Sequence, residues 1–134
     1  MEEPDVALGL DAARDTQWRP WHHVDADLWM CSSYIGRRGL AALRGDIDEN
    51  SARALGRELD DLRHDGVSCL VLDLEHVRRV DAAGARILER IAAWLEAANG
   101  ALLLRRPSYH VRKALQIPGP RARVRCDAHN RALI

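Results

Sequence analysis

The segment Val67-Ser68-Cys69-Leu70-Val71-Leu72-Asp73-Leu74 decides the fold. It is apolar at both alternating parities until Asp73, the pattern of a strand covered on both faces and therefore of the interior of a parallel sheet. A parallel neighbour needs a crossover connection, and the flanking sequence supplies one on each side. Upstream, Gly45-Asp46-Ile47-Asp48-Glu49-Asn50-Ser51 is a turn rich in helix-capping side chains. Ala52, Leu55, Leu59 and Leu62 follow at helical spacing, with charged residues around the other side, until Asp65-Gly66 stops the helix. Downstream, a loop over residues 75–80 leads to Asp81-Ala82-Ala83-Gly84. A second helix then carries Ile87, Leu88, Ile91, Trp94, Leu95 and Ala98, and Asn99-Gly100 ends it.

Working outward, residues 28–35 and 40–43 read as two strands of a hairpin about the turn Gly36-Arg37-Arg38-Gly39. Residues 101–104 form another short buried strand. Pro107-Ser108 opens a third helix with Val111 and Leu115 on one face, broken by Ile117-Pro118-Gly119-Pro120. Residues 121–126, polar at alternate positions, suit an edge strand. The order ββαβαβαβ predicts an α/β domain: an N-terminal β-hairpin leading into a mostly parallel sheet of four to five strands, with about three helices and right-handed crossovers. Residues 1–23, with Pro4, Pro20 and several acids, read as a flexible acidic arm. The domain then spans 24–126, and 127–134 form a tail. Trp18 and Trp21 strain the arm reading, because each can bury a large apolar area. They fold back onto the domain or mark a contact for a partner.

A chain of 134 residues accommodates one domain. Its 20 basic and 20 acidic residues give no net charge, which argues against a dedicated nucleic-acid binder. No apolar run approaches the roughly 18–20 residues of a membrane span. The acidic N-terminus is the reverse of a secretory leader's basic start. Cys31, Cys69 and Cys126 are odd in number and lack metal spacing, so they read as thiols of a reducing compartment, and the expected location is cytoplasmic. Charge is uneven along the chain: residues 1–30 hold seven acids and two bases, residues 105–134 eight bases and one acid. Arg105, Arg106, Arg112, Arg121, Arg123 and Arg125 form a basic surface for an acidic partner or for the acidic N-terminal segment. A codon-usage origin of the arginine preference is the competing reading, since Lys113 is the only lysine.

Three features together resemble one family. The first is Leu43-Arg44-Gly45-Asp46-Ile47-Asp48, where the family reads Gly-Glu-Leu-Asp or similar. The second is Val71-Leu72-Asp73-Leu74 followed by Val80-Asp81-Ala82-Ala83-Gly84-Ala85, where the family has a strand and then Asp-Ser-Ser-Gly-Leu. The third is the closing strand and Pro107-started helix, with a glycine shortly after. Residues 28–126 thus resemble a STAS domain, the module of bacterial anti-sigma factor antagonists that also occurs in sulphate transporters. The resemblance implies a non-catalytic protein-interaction domain. In the family, a serine at the start of the second helix is phosphorylated by a partner that is both kinase and anti-sigma factor. Phosphorylation releases the partner. A helix N-terminus suits an anion, and about −1.5 to −2 added charges suffice to disrupt a docked surface.

The two serine positions are here Ala82 and Ala83, neither of which can accept a phosphoryl group. Ala83 is therefore a degenerate phosphosite, with Ala82 beside it. The surroundings persist: Asp81 as N-cap, Gly84 for close approach, and Asp48 beside the former acceptor. The resemblance implies a partner face at Asp81, Ala82, Ala83, Gly84 and Arg86, flanked by Asp46, Asp48, Glu49 and Asn50. Three functions are compatible with it. One is an antagonist that binds an ATP-binding, kinase-type anti-sigma factor without a phosphorylation switch. Another is a scaffold or accessory subunit that assembles with other STAS-domain proteins, a homodimer included. The third is a small-ligand sensor. Without the resemblance, Asp81–Gly84 reads as an ordinary helix start.

Other chemistry-bearing residues have plainer readings. Ser51, in the first turn of the first helix, reads as a cap before it reads as a relocated phosphosite. His22-His23 reads as a solvated pair, without further ligands at metal spacing. Asp73, ending its strand beside the Asp81 loop, would bring two carboxylates together, in a loop-organising rather than catalytic role. No nucleophile elbow or phosphate-cradling glycine loop is present, so neither catalysis nor a cofactor or metal is expected.

Overall fold

The computed structural model describes residues 17–115 and 125–127. The elements are β1 (Gln17–Asp25), β2 (Leu28–Ile35), β3 (Arg38–Ile47), α1 (Glu49–His64), β4 (Cys69–Val80), α2 (Ala82–Ala97), β5 (Ala101–Arg105), α3 (Tyr109–Leu115) and β6 (Arg125–Asp127). The six strands lie in sequence order in one sheet. β1, β2 and β3 pair antiparallel; β3–β4, β4–β5 and β5–β6 pair parallel. Strands added one after another in a single direction, through crossovers of one hand, carry all three helices to one face. Leucines from all three helices pack there against Leu43, Leu72, Leu74, Leu102 and Leu104 of the strands. The opposite parity forms a smaller cluster of strand residues, Cys31, Leu40, Ala42 and Val71, joined by Trp21 and Leu103. The α/β architecture, its hairpin entry and its three helices agree with the sequence pattern.

Three expectations need correction. The expected arm over residues 1–23 is too long: residues 17–23 belong to β1, paired with β2 from Gln17–Tyr34 to Asp25–Leu28. The reason is burial and pairing, since Trp21 joins the cluster on the helix-free face and Glu58 of α1 takes Arg19 at 2.9 Å and His22 at 3.0 Å. Trp18 remains half exposed. Of the expected solvated pair, His22 is instead half buried and binds Glu58, whereas His23 is exposed, its ring centred 3.7 Å from that of Trp29. Residues 1–16 lie outside the described residues, as does most of the 127–134 tail.

The expected loop over 75–80 is instead the second half of β4. There Arg44 pairs with His76, Gly45 with Val77 and Ile47 with Val80, across irregularities in register. Only Val77 and Val80 are buried in this half, so the two-face apolar signature that marks the first half disappears. Gly45 sits at φ +119°, and a Cβ there would stand 1.9 Å from the carbonyl oxygen of Asp27. That carbonyl accepts the Asp46 N–H at 2.9 Å, which ties the β1–β2 turn to the bend in β3.

Third, Asp73 does not converge with Asp81. Asp81 lies eight positions further along the extended strand, about 25 Å away. Asp73 is buried and accepts hydrogen bonds from the Glu75 N–H, at 3.0 Å, and from Arg106. Arg106 holds φ +53°. Its guanidinium pKa is raised, first by the Asp73 hydrogen bond and then by attraction to Asp73 and Glu75, against an opposing effect of burial. Of the edge strand expected over 121–126, residues 125–127 form β6; residues 121–124 lie outside the described residues.

Candidate functional site

Ile47 ends β3 opposite Val80, the last residue of β4. The next residue of each strand, Asp48 and Asp81, caps a helix, so two helix starts stand side by side. Asp48 has extended backbone, and its carboxylate accepts from the N–H groups of Asn50 at 2.9 Å and Ser51 at 3.1 Å. Ser51 completes the capping box: its Oγ accepts the Asp48 N–H at 3.0 Å and donates to the Asp46 carbonyl at 2.9 Å. Its side chain is fully buried. The sequence already reads Ser51 as a cap, and its burial and hydrogen bonds fit that role rather than that of a modification site.

Asp81 serves both helices. Its Oδ1 accepts the Gly84 N–H at 2.9 Å and caps α2; its Oδ2 accepts the Glu49 N–H at 3.0 Å, at the start of α1. Its own N–H donates to the Ile47 carbonyl at 3.1 Å. A Cβ at Gly84 would stand 2.4 Å from that same carbonyl oxygen, so only glycine allows α2 to approach β3 this closely. Asp46 is half buried, with Arg78 at 3.2 Å and Arg79 at 3.6 Å from its carboxylate.

The fold therefore brings all nine expected site residues to one end of the helix layer. Asp81, Ala82, Arg86, Glu49 and Asn50 are exposed, Ala83, Asp46 and Asp48 half buried, and Gly84 buried. The result is a run of small side chains, Ala82, Ala83 and Gly84, at the α2 start, bordered by the polar residues of the α1 start, with no hydroxyl on α2 to modify. Sequence reasoning missed Arg78 and Arg79, hidden in the supposed loop, and Arg53, Arg57 and Arg90, which line a groove between α1 and α2 together with the expected Arg86. The signal for the latter was the one-turn spacing of Arg53 with Arg57 and of Arg86 with Arg90.

The family model described as "Mlab, STAS domain" matches residues 36–120. The chain belongs to the STAS domain family. Members of this family are generally non-catalytic regulatory domains. No curated protein matches the STAS chain. Among solved structures it is similar to the anti-sigma factor antagonist SpoIIAA in its unphosphorylated form, with 20% identity over 62% of this chain and 76% of that one, TM-score 0.54. The Bacillus cell fate determinant SpoIIAA in its phosphorylated form aligns at 17% identity over 84% of this chain and 93% of that one, TM-score 0.56. The murine Solute Carrier 26 family member A9 anion transporter aligns at 14% identity over 88% of this chain but 21% of its own, TM-score 0.59. At these identities the likeness is one of fold. Among the described residues of this STAS domain, no helix is long and apolar enough to cross a membrane.

Proposed function

We propose that this STAS domain is a constitutive docking module. Its partner face is centred on Asp81–Arg86, with residues 46–50 beside it, and it binds a kinase-type, ATP-binding anti-sigma factor in the cytoplasm. The observation that carries this reading is the α2 start: an exposed, capped helix N-terminus with Ala82 and Ala83 in the place of an acceptor hydroxyl. Support comes also from Ser51, the nearest hydroxyl on α1, whose burial removes it as a substitute acceptor. Without an acceptor, binding is not reversed by phosphoryl transfer to this face; abundance or another input sets the occupancy.

A second reading, an accessory subunit of a larger assembly, is favoured by one finding: the matching family model carries the Mlab description rather than that of an anti-sigma factor antagonist. Incubation with candidate kinase-type anti-sigma factors, with and without ATP, separates the two. A stable complex that ATP fails to dissolve, with no phosphate incorporated, fits the antagonist. Self-assembly or co-assembly with other STAS proteins, and no complex with such a kinase, would replace it with the accessory subunit.

A further inference from the structure

A groove runs between α1 and α2 on the side away from the sheet, beginning beside Ala83. The helices approach closely at its middle: a Cβ added to Gly56 would stand 3.3 Å from Cδ1 of Ile87. Half-buried Ile87 and Trp94 give the groove an apolar floor, and Arg53 and Arg57 on α1 face Arg86 and Arg90 on α2 across it. All four arginines are exposed. Arg19, Arg63, Arg78, Arg79 and Arg106 are engaged with carboxylates. Among the described residues, the side chains of the four in the groove take part in no ion pair or hydrogen bond. Four like charges around a partly apolar trough repel one another until a counter-charge arrives.

We propose that this groove receives an acidic amphipathic helix of the partner protein. Its apolar residues, at helical spacing, would lie on Ile87 and Trp94, and carboxylates on either side would meet the arginines. Each wall presents its cations one turn apart, which matches carboxylates at positions i and i+4 of a docked helix. From Glu49 to Asp60 the α1 wall rises about 16 Å, room for about three turns. A polypeptide is favoured over an anionic bilayer or a nucleic acid by that apolar floor. The groove's ends point the same way: Glu49 stands at one, and Asp60, already held by Arg63 at 2.7 Å, at the other. Both would repel a continuous phosphate surface. The inference rests on the docking reading and names the chemistry of the docked element.

The test uses the full chain with three probes. These are a synthetic helical peptide of about five turns with leucines on one face and flanking glutamates, the same peptide with glutamines, and phosphatidylglycerol vesicles. The expected result is saturable binding of the acidic peptide at least about tenfold tighter than its glutamine analogue. Binding should weaken with salt and shift the NMR resonances of Ala83 and the Trp94 indole. The double variant Arg57→Glu/Arg90→Glu, shown folded by its thermal melt, should lose at least about tenfold in affinity. Equal affinity for the two peptides, no saturation at ~1 mM, shifts centred elsewhere, or arginine-dependent binding to vesicles alone would overturn the proposal. If a kinase-type partner binds, is weakened by Ala83→Glu and ignores the arginine reversal, the groove fails and the docking face stands. If the peptide fills the groove while Ala83→Glu leaves the partner unaffected, the docking face fails and the groove stands.

Discussion

The starts of α1 and α2 lie side by side at the ends of neighbouring parallel strands and use their polar groups in opposite ways. At α1 the hydroxyl of Ser51 is buried and tied to Asp48 and Asp46. At α2 the first two positions are alanines, Ala82 exposed and Ala83 half buried, and capping falls to Asp81 alone. The difference separates two duties that a serine at a helix start can have. One start keeps its hydroxyl because the fold needs it; the other lacks a hydroxyl at positions where the fold needs none. Methyl groups at an exposed N-terminus leave the helix dipole and the orphan N–H groups in place for a partner while removing the site of a covalent switch.

The largest effect on this contrast should come from Gly84→Ala. The new methyl would collide with the Ile47 carbonyl, and we expect about 3 kcal/mol of lost stability and a Tm lower by at least ~5 °C in thermal and urea denaturation. Wild-type stability would mean that α2 does not start against β3. Next, Ser51→Ala should cost about 2 kcal/mol by leaving a buried N–H and carbonyl without partners, whereas Ala83→Ser should stay within about 0.5 kcal/mol. Equal costs in urea titrations would erase the distinction between the two starts.

The smallest effect lies at the other end of α1, where Tyr34 donates to Asp65 at 3.1 Å. Burial, then this hydrogen bond, then the Asp65 charge raise the phenol above its ordinary value of 10.0. The folded state thus holds the phenolic proton more tightly than the unfolded chain. The contribution is complete below pH 10.0 and is lost as pH rises through the raised value. Tyr34→Phe should flatten this alkaline slope in pH-dependent urea melts, and an unchanged slope would detach Tyr34 from it.

The parts of the fold legible in sequence are those where burial alone sets the pattern. The first half of β4 is apolar on both faces and declares itself. Its second half, bent by irregular pairing and half exposed, resembles a loop. In β1 polar and prolyl residues outnumber the half-buried Trp21, and the pairing with β2 is a tertiary fact. Asp81 is legible as a cap because capping is local. Its bond to the Glu49 N–H spans 32 residues and depends on the β3–β4 register. Likewise the spacing of Arg53 with Arg57 is visible in the chain, but that they face Arg86 and Arg90 follows only from how α1 and α2 pack.

The central claim is that a partner docks on the α2 start in a state no phosphoryl group reverses. The most direct measurement is a side-by-side titration of a kinase-type anti-sigma partner against the wild-type chain and Ala83→Glu. An unpaired carboxylate trapped in that interface costs several kcal/mol, so the account predicts affinity weaker by at least about a hundredfold, with the variant's own melt unchanged. Equal affinity for the two proteins would contradict it and move the contact surface away from the two helix starts.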